Sequence, residues 1–232
     1  MSSGFSMPAR PLIRLESKSG NISVVLEDRG DVLVESGIKN TSDAKVDADE
    51  LILRNHSGNI SVRCPAGTNL NIGTISGSVR AKGRAGDIRV GTASGNIEID
   101  GAERADLRSI SGKLSVAWCG TCRLATKSGR VEIGSTFDAD LATVSGNIGL
   151  THAEGRVRVK TVSGKVELGA AGRRDIEVHS LSGSVTVRLP PGTRPEIKTK
   201  SLGGRTRSEF APGNDCRVAV STLSGRIDLV ET

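Results

Sequence analysis

The 232-residue chain has no tyrosine, one tryptophan (Trp118) and three phenylalanines (Phe5, Phe137 and Phe210). Sites that stack nucleic-acid bases or sugar rings are built on exposed aromatic rings, so this scarcity argues against specific nucleic-acid binding and glycan binding. No stretch approaches the ~20 consecutive apolar residues of a membrane-spanning helix. Met1 to Leu15 also lacks the apolar centre of a secretory signal. As written, the chain carries no membrane span and is expected in the cytoplasm; a leader or anchor removed from it would place it at the cell surface. Histidine is scarce too: His56, His152 and His179 lie far apart in sequence, and the acidic residues form no paired column suited to general acid–base work. These absences point away from an enzyme, and the sequence implies no cofactor or metal.

What the chain has in abundance is a phrase. Ser-Gly-x followed by an apolar residue recurs from Ser19-Gly20 to Ser224-Gly225, and from Gly58 to Gly183 the glycines are spaced by 19, 18, 17, 17, 17, 18 and 19 residues. A degenerate copy at Gly203-Gly204 splits the last long interval into 21 and 21. A period near 18 is the mark of a solenoid, because one unit of that size cannot bury its own apolar face. Two and four residues after the glycine of nearly every copy the chain is apolar, as at Ile97 and Ile99, alternating with polar Asn96, Glu98 and Asp100. That alternation predicts a half-buried strand. A second strand precedes each corner, with Leu107, Leu124, Leu141 and Val159 five residues before the glycine. Three residues before it stands a hydroxyl column, Thr74 through Thr222, expected to form a side-chain ladder that holds register. The glycine supplies a sharp corner, since it reaches positive φ without steric cost.

These features predict an all-β, single-stranded parallel β-solenoid (β-helix) of about 10–12 coils of 17–21 residues. Residues 1–11 are expected as an N-terminal tail and 12–232 as one domain, with a degenerate coil at 27–55. The acidic residues Asp43, Asp47, Asp49 and Glu50 in that coil read as a solvated loop, because the glycine and terminal glutamate of an EF-hand loop are missing. The chain is basic, net +6, and Lys113, Arg130, Lys165, Arg205 and Arg226 share the position after the glycine. Interleaved Glu98, Glu132, Glu167 and Asp228 favour a solvated face there, leaving an anionic partner open.

Trp118-Cys119-Gly120-Thr121-Cys122 has the shape of a thiol redox site, which makes Cys119 and Cys122 weak redox candidates. No helix follows to lower a thiol pKa, and Cys122 falls at the core position held elsewhere by Ala105 and Val157. Cys64 stands in Val-Arg-Cys-Pro-Ala-Gly-Thr where Leu189 stands in Val-Arg-Leu-Pro-Pro-Gly-Thr, and Cys216 alternates with Val218 and Val220. Both read as small buried hydrophobes.

Ser-Lys-Ser-Gly-Asn-Ile-Ser-Val at 17–24, Gly-Asp-Ile-Arg-Val at 86–90 and Thr-Ala-Ser-Gly-Asn-Ile-Glu-Ile at 92–99 resemble the bacterial putative-adhesin family of β-strand repeats, a domain of unknown function. The resemblance runs from about residue 12 to the end. It implies a bacterial β-solenoid with adhesive or surface roles, in a family whose members often carry a leader or anchor. The functional expectation is a non-enzymatic binding or structural module that presents an extended face to a protein partner. The rival is a self-assembling scaffold of the bactofilin type. It would associate end to end through a final rung of Ile227, Leu229 and Val230, where the sequence stops one strand into a regular coil with no polar helix or loop expected to cover it.

Overall fold

The computed structural model describes residues 3–6, 11–36, 44–47, 49–170 and 174–232. The chain forms two compact units, Met1–Cys119 and Gly120–Thr232. The unbroken repeat period does not announce that division. The first unit contains β1 (Ser3–Ser6), β2 (Leu12–Ser19), β3 (Ile22–Glu27), β4 (Asp31–Ser36), β5 (Ala44–Asp47), β6 (Glu50–Ser57), β7 (Ile60–Pro65), β8 (Asn69–Ser76) and β9 (Val79–Ser94). The long β10 (Ile97–Ala153) begins there and continues into the second unit. That unit adds β11 (Val157–Ala170), β12 (Ile176–Leu189), β13 (Glu196–Ser201), β14 (Thr206–Ser208) and β15 (Arg217–Glu231).

Most pairing is parallel, with equivalent residues of different repeats side by side. In the first unit Ser57, Ser19, Ser76, Ser94 and Ser111 fall in line; in the second, Ser145, Ser163, Ser182 and Ser224 do. The apolar positions two and four residues after each glycine are buried, as are those five before it. Each strand hides alternate side chains, so a repeat of Val, Ile and Leu fills the interior without aromatic residues. The sheet is mixed, because β1–β4, β4–β7 and β5–β6 pair antiparallel.

The expected hydroxyl ladder takes a different form. Thr161 Oγ1 donates to the Ser163 carbonyl at 3.2 Å, and Ser17, Ser109, Thr126 and Ser180 make the same bond two residues ahead. Each hydroxyl closes its own corner instead of reaching the next repeat. Asparagines after the glycine do cross: Asn21, Asn96 and Asn147 accept through Oδ1 from the backbone N–H of Ser78, Lys113 and Lys165. The buried Oγ1 atoms of Thr74, Thr92, Thr143 and Thr222 have no partner among the described residues. Thr161→Val is therefore expected to lower stability by about 1 kcal/mol, while Thr92→Val is neutral or stabilising; urea unfolding of the two variants checks the contrast.

Repeats do not stack in chain order at either end of the chain. β2 lies between β6 and β8, and β3 between β7 and β9, so the repeat at 50–65 sits outside the earlier repeat at 12–27. The segment expected as a degenerate coil supplies covers for that outer repeat: β4 lies along β7 and β5 along β6. β1, from the expected tail, covers β4 in turn. Arg63 pairs with Glu35 of β4 at 2.6 Å and with Glu27 at 3.4 Å. The Ser61 hydroxyl, then Arg63, hydrogen-bond the exposed Glu35 carboxylate and hold it below its ordinary pKa. In the acidic group, Glu50 pairs with Arg14 at 3.4 Å, whereas Asp43 lies outside the described residues; so does Gly37, which its spacing of 17 residues after Gly20 marks as a further corner, with Lys39 at the position that is apolar in the other repeats.

The other end mirrors this arrangement. β15, last in sequence, pairs with β12 on one side and with β13 and β14 on the other. The rung of Ile227, Leu229 and Val230 is therefore not the uncovered one: Thr206 stands beside Ile227 and Ser208 beside Leu229. β13 is last in the strand order, and it carries Lys198 and Lys200, charged side chains that discourage pairing with a further strand.

Both skips use the same turn. After β7 and after β12 the chain steps over one level through Pro-x-Gly-Thr. Thr68 Oγ1 donates to the Pro65 carbonyl at 2.6 Å, and Thr193 Oγ1 to that of Pro190 at 2.7 Å. Gly67 and Gly192 take φ of 78° and 73°.

Candidate functional site

The sequence candidates separate once their surroundings are seen. Cys119 and Cys122 are disulfide-bonded and wholly buried, so neither presents a thiolate to solvent. Cys64 and Cys216 are buried and in no disulfide, and burial pushes the Cys64 thiol up to about 11. The ring of Trp118 is covered by the Arg84 guanidinium, 4.4 Å from its centroid, in a cation–π contact. Among the described residues no group of three or more His, Cys, Asp and Glu is placed to hold a metal ion, and no helix is long and apolar enough to cross a membrane. On the basic stripe, Lys165 and Arg130 are tied to Glu167 and Glu132 at 2.7 and 3.5 Å.

One constellation that the sequence does not foretell is made by strand pairing. His179 of β12 stands beside Ser221 of β15, with Nδ1 2.7 Å from the serine Oγ and Nε2 2.9 Å from Glu177 Oε1. Hydrogen bonds from His179, then from Arg158, hold the Glu177 carboxylate below its ordinary pKa. The connectivity is that of a nucleophile, a base and an orienting acid. Acyl transfer needs more, namely preorganised donors for the oxyanion. Here Ser221 lies within a strand paired on both sides, on an open sheet face with His179 half exposed.

A cleft of about 560 Å³ in the second unit is the better-formed feature. It lies at the side of the repeats away from the Ser-Gly corner. Four arginines (Arg123, Arg156, Arg158 and Arg174) line it with Asp138, Asp140, Asp175 and Phe137. Arg158 is paired with Glu177 at 3.2 Å. The Asp138 carboxylate is occupied by the Arg156 backbone N–H at 2.7 Å. The guanidinium groups of Arg123, Arg156 and Arg174 make no ion pair among the described residues. Phe137 is 52% exposed. Each of these residues faces out from a strand or corner whose inner neighbours, such as Leu124, Ala139 and Val157, fix its place. The sequence holds a trace of the cleft: alternating charge at the repeat spacing, Arg123, Asp140, Arg158 and Glu177 in one column and Asp138, Arg156 and Asp175 in another.

Residues 12–229 match the family model described as Toastrack DUF4097. Among solved structures, the chain is similar to a "putative adhesin" from Parabacteroides merdae, with 11% identity over 100% of this chain and 95% of that one and a TM-score of 0.50. It is also similar to a "putative adhesin" from Bacteroides fragilis, with 15% identity over 99% and 96% of the two chains and a TM-score of 0.47. Among curated proteins none matches.

Proposed function

The chain belongs to the Toastrack DUF4097 family, and from that premise we propose that it is a non-enzymatic, adhesin-like binding module whose repeats stack as a single-stranded parallel β-solenoid within each unit. The cleft of the second unit carries this reading. It combines arginines that make no ion pair among the described residues with an exposed phenylalanine, and arginine and aromatic side chains are the residue types that dominate protein–protein binding energy. Strands hold Arg123, Phe137, Asp138, Asp140 and Arg158, while Arg156 and Arg174 stand in the connections just before β11 and β12, so the strand-borne part of the lining is ordered before a partner arrives and loses little conformational entropy on binding. The partner that fits is a protein segment with acidic residues around an apolar anchor. The coarse similarity to structures described as adhesins supports the same class.

Selection of random peptides on the immobilised protein tests this. Acidic sequences with an apolar or aromatic residue are expected to enrich, and the doubly substituted Arg123→Gln, Arg156→Gln protein should bind them at least ~10-fold more weakly. Enrichment indifferent to these arginines, or none above background, would refute the assignment. A fluorophosphonate probe is expected to leave Ser221 unmodified; stoichiometric labelling there would overturn the non-enzymatic part.

A further inference from the structure

The residue between the buried hydroxyl and the serine of each corner points outward, and in the second unit it is aliphatic in five stacked repeats. Val144, Val162, Leu181 and Leu223 are 45–54% exposed and Leu202 is 85% exposed. The register puts them in one column: Ser145, Ser163, Ser182 and Ser224 are in line, and Gly203 N–H donates to the Leu223 carbonyl at 3.0 Å. At a strand spacing of ~4.8 Å the column is about 19 Å long. Solvent-exposed aliphatic side chains are ordinary when scattered, but a continuous row marks a contact surface.

The charges beside the row decide what it contacts. Two residues before the aliphatic position stand Ala142, Lys160, His179, Ser221 and Lys200 in the same five repeats, and three residues after it stand Asn147, Lys165, Ser184, Arg226 and Arg205. No acidic residue occupies either flank. The second unit as a whole holds 17 Lys and Arg against 12 Asp and Glu, net +5, whereas the first holds 15 against 14, net +1. The row runs along the corner where each repeat turns from one strand to the next. It is therefore a projecting edge, which fits a soft apolar medium better than the knob-and-pocket packing of a protein interface. A second copy meeting it edge to edge would bring Lys160, Lys200, Arg205 and Arg226 against their own equivalents, a like-charge contact that opposes pairing.

We propose that this edge is a docking site for an anionic lipid surface, the aliphatic row entering the headgroup region and the flanking cations lying against lipid phosphates. Interfacial binding of this kind adds buried apolar area to attraction for anionic lipid, and each cation held near such a surface contributes about fivefold in partitioning. The site is separate from the arginine cleft, so either assignment can fail alone.

Co-sedimentation of the full chain with vesicles tests it. Wild type is expected to bind phosphatidylcholine vesicles containing one third phosphatidylglycerol, to bind pure phosphatidylcholine at least ~10-fold more weakly, and to be released by high salt. The doubly substituted Leu181→Gln, Leu223→Gln protein should lose at least ~10-fold in binding while keeping its melting temperature, because both side chains are already half exposed. Arg123→Gln, Arg156→Gln should bind vesicles as wild type does. Absence of binding to the anionic vesicles, or equal binding by the leucine variant, overturns the proposal. So does self-association in the absence of lipid that the same leucine changes abolish, since the occupant would then be a second copy.

Discussion

Gly183→Ala is expected to cost about 2–6 kcal/mol of unfolding free energy, read as a fall in the guanidinium midpoint. Two effects add. Gly183 has φ of 133°, a conformation an L side chain adopts only with strain of about 1–3 kcal/mol. A Cβ placed there would also overlap the backbone carbonyl oxygen of Gly164 in the stacked repeat. That oxygen belongs to a paired strand and cannot swing aside, so relief requires the repeats to part, an overpacking cost of about 1–3 kcal/mol. The same encounter recurs at Gly95 with Gly77, at Gly164 with Gly146 and at Gly225 with Gly183. Gly91→Ala is the control: nothing lies within 4 Å of where its methyl group would stand and its backbone is not left-handed, so a change within about 1 kcal/mol is expected, on the stabilising side. A Gly183→Ala protein as stable as Gly91→Ala would show that the corners do not stack as described.

A chain ending at Asp215 is expected to lose more than its last strand. Stacked in chain order, the repeats would leave β15 as a terminal rung, and its removal would leave residues 196–208 folded against β12. In the observed order β15 separates β12 from β13 and β14. Val218, Val220, Ile227 and Leu229 go with it, all buried. Each contributes about 1.5–3 kcal/mol of burial. Deletion also strips β13 and β14 of the strand they pair with and exposes β12. Limited proteolysis is therefore expected to cut throughout 190–215 in the shortened chain while sparing these residues in the full one. Protection of 196–208 after truncation would refute the strand order.

The Gly-x-apolar-x-apolar spacing is enough to place the buried positions, because a period of two decides which side of a strand is wet and a fixed repeat decides what lies beneath it. Ile97, Leu114, Val166 and Leu229 are buried as their offsets from the glycine require. The hydroxyl column is visible in the sequence, but not its bonding: whether Thr161 reaches the next repeat or its own corner depends on distances that residue identity does not contain. The arginine cleft is legible only as alternating charge, since outward positions carry no packing requirement. The aliphatic edge is written openly in Thr-Val-Ser-Gly at 143–146 and Ser-Leu-Ser-Gly at 180–183. Its meaning is hidden there because an apolar residue in a repeat is first assigned to the core.

By itself, then, the sequence determined the all-β repeat, its period, its interior and the need for glycine at each corner, all consequences of local sterics and alternation. Only the tertiary structure decided which repeat lies on which. Apart from the repeat at 196–208, which has Thr199, Thr206 and Ser208 at the apolar positions, the repeats offer the same apolar arms and the same glycine, so those neighbours are interchangeable as far as pairing is concerned. Connection length chooses among them. The crossing turns at 65–68 and 190–193 are long enough to pass over one level, and the second of them leaves β14 beside Ile227 and Leu229 and β13 as the last strand. The shared Pro-x-Gly-Thr phrase marks both crossings in the sequence, but its meaning lies in hydrogen bonds and a level change that only three dimensions display.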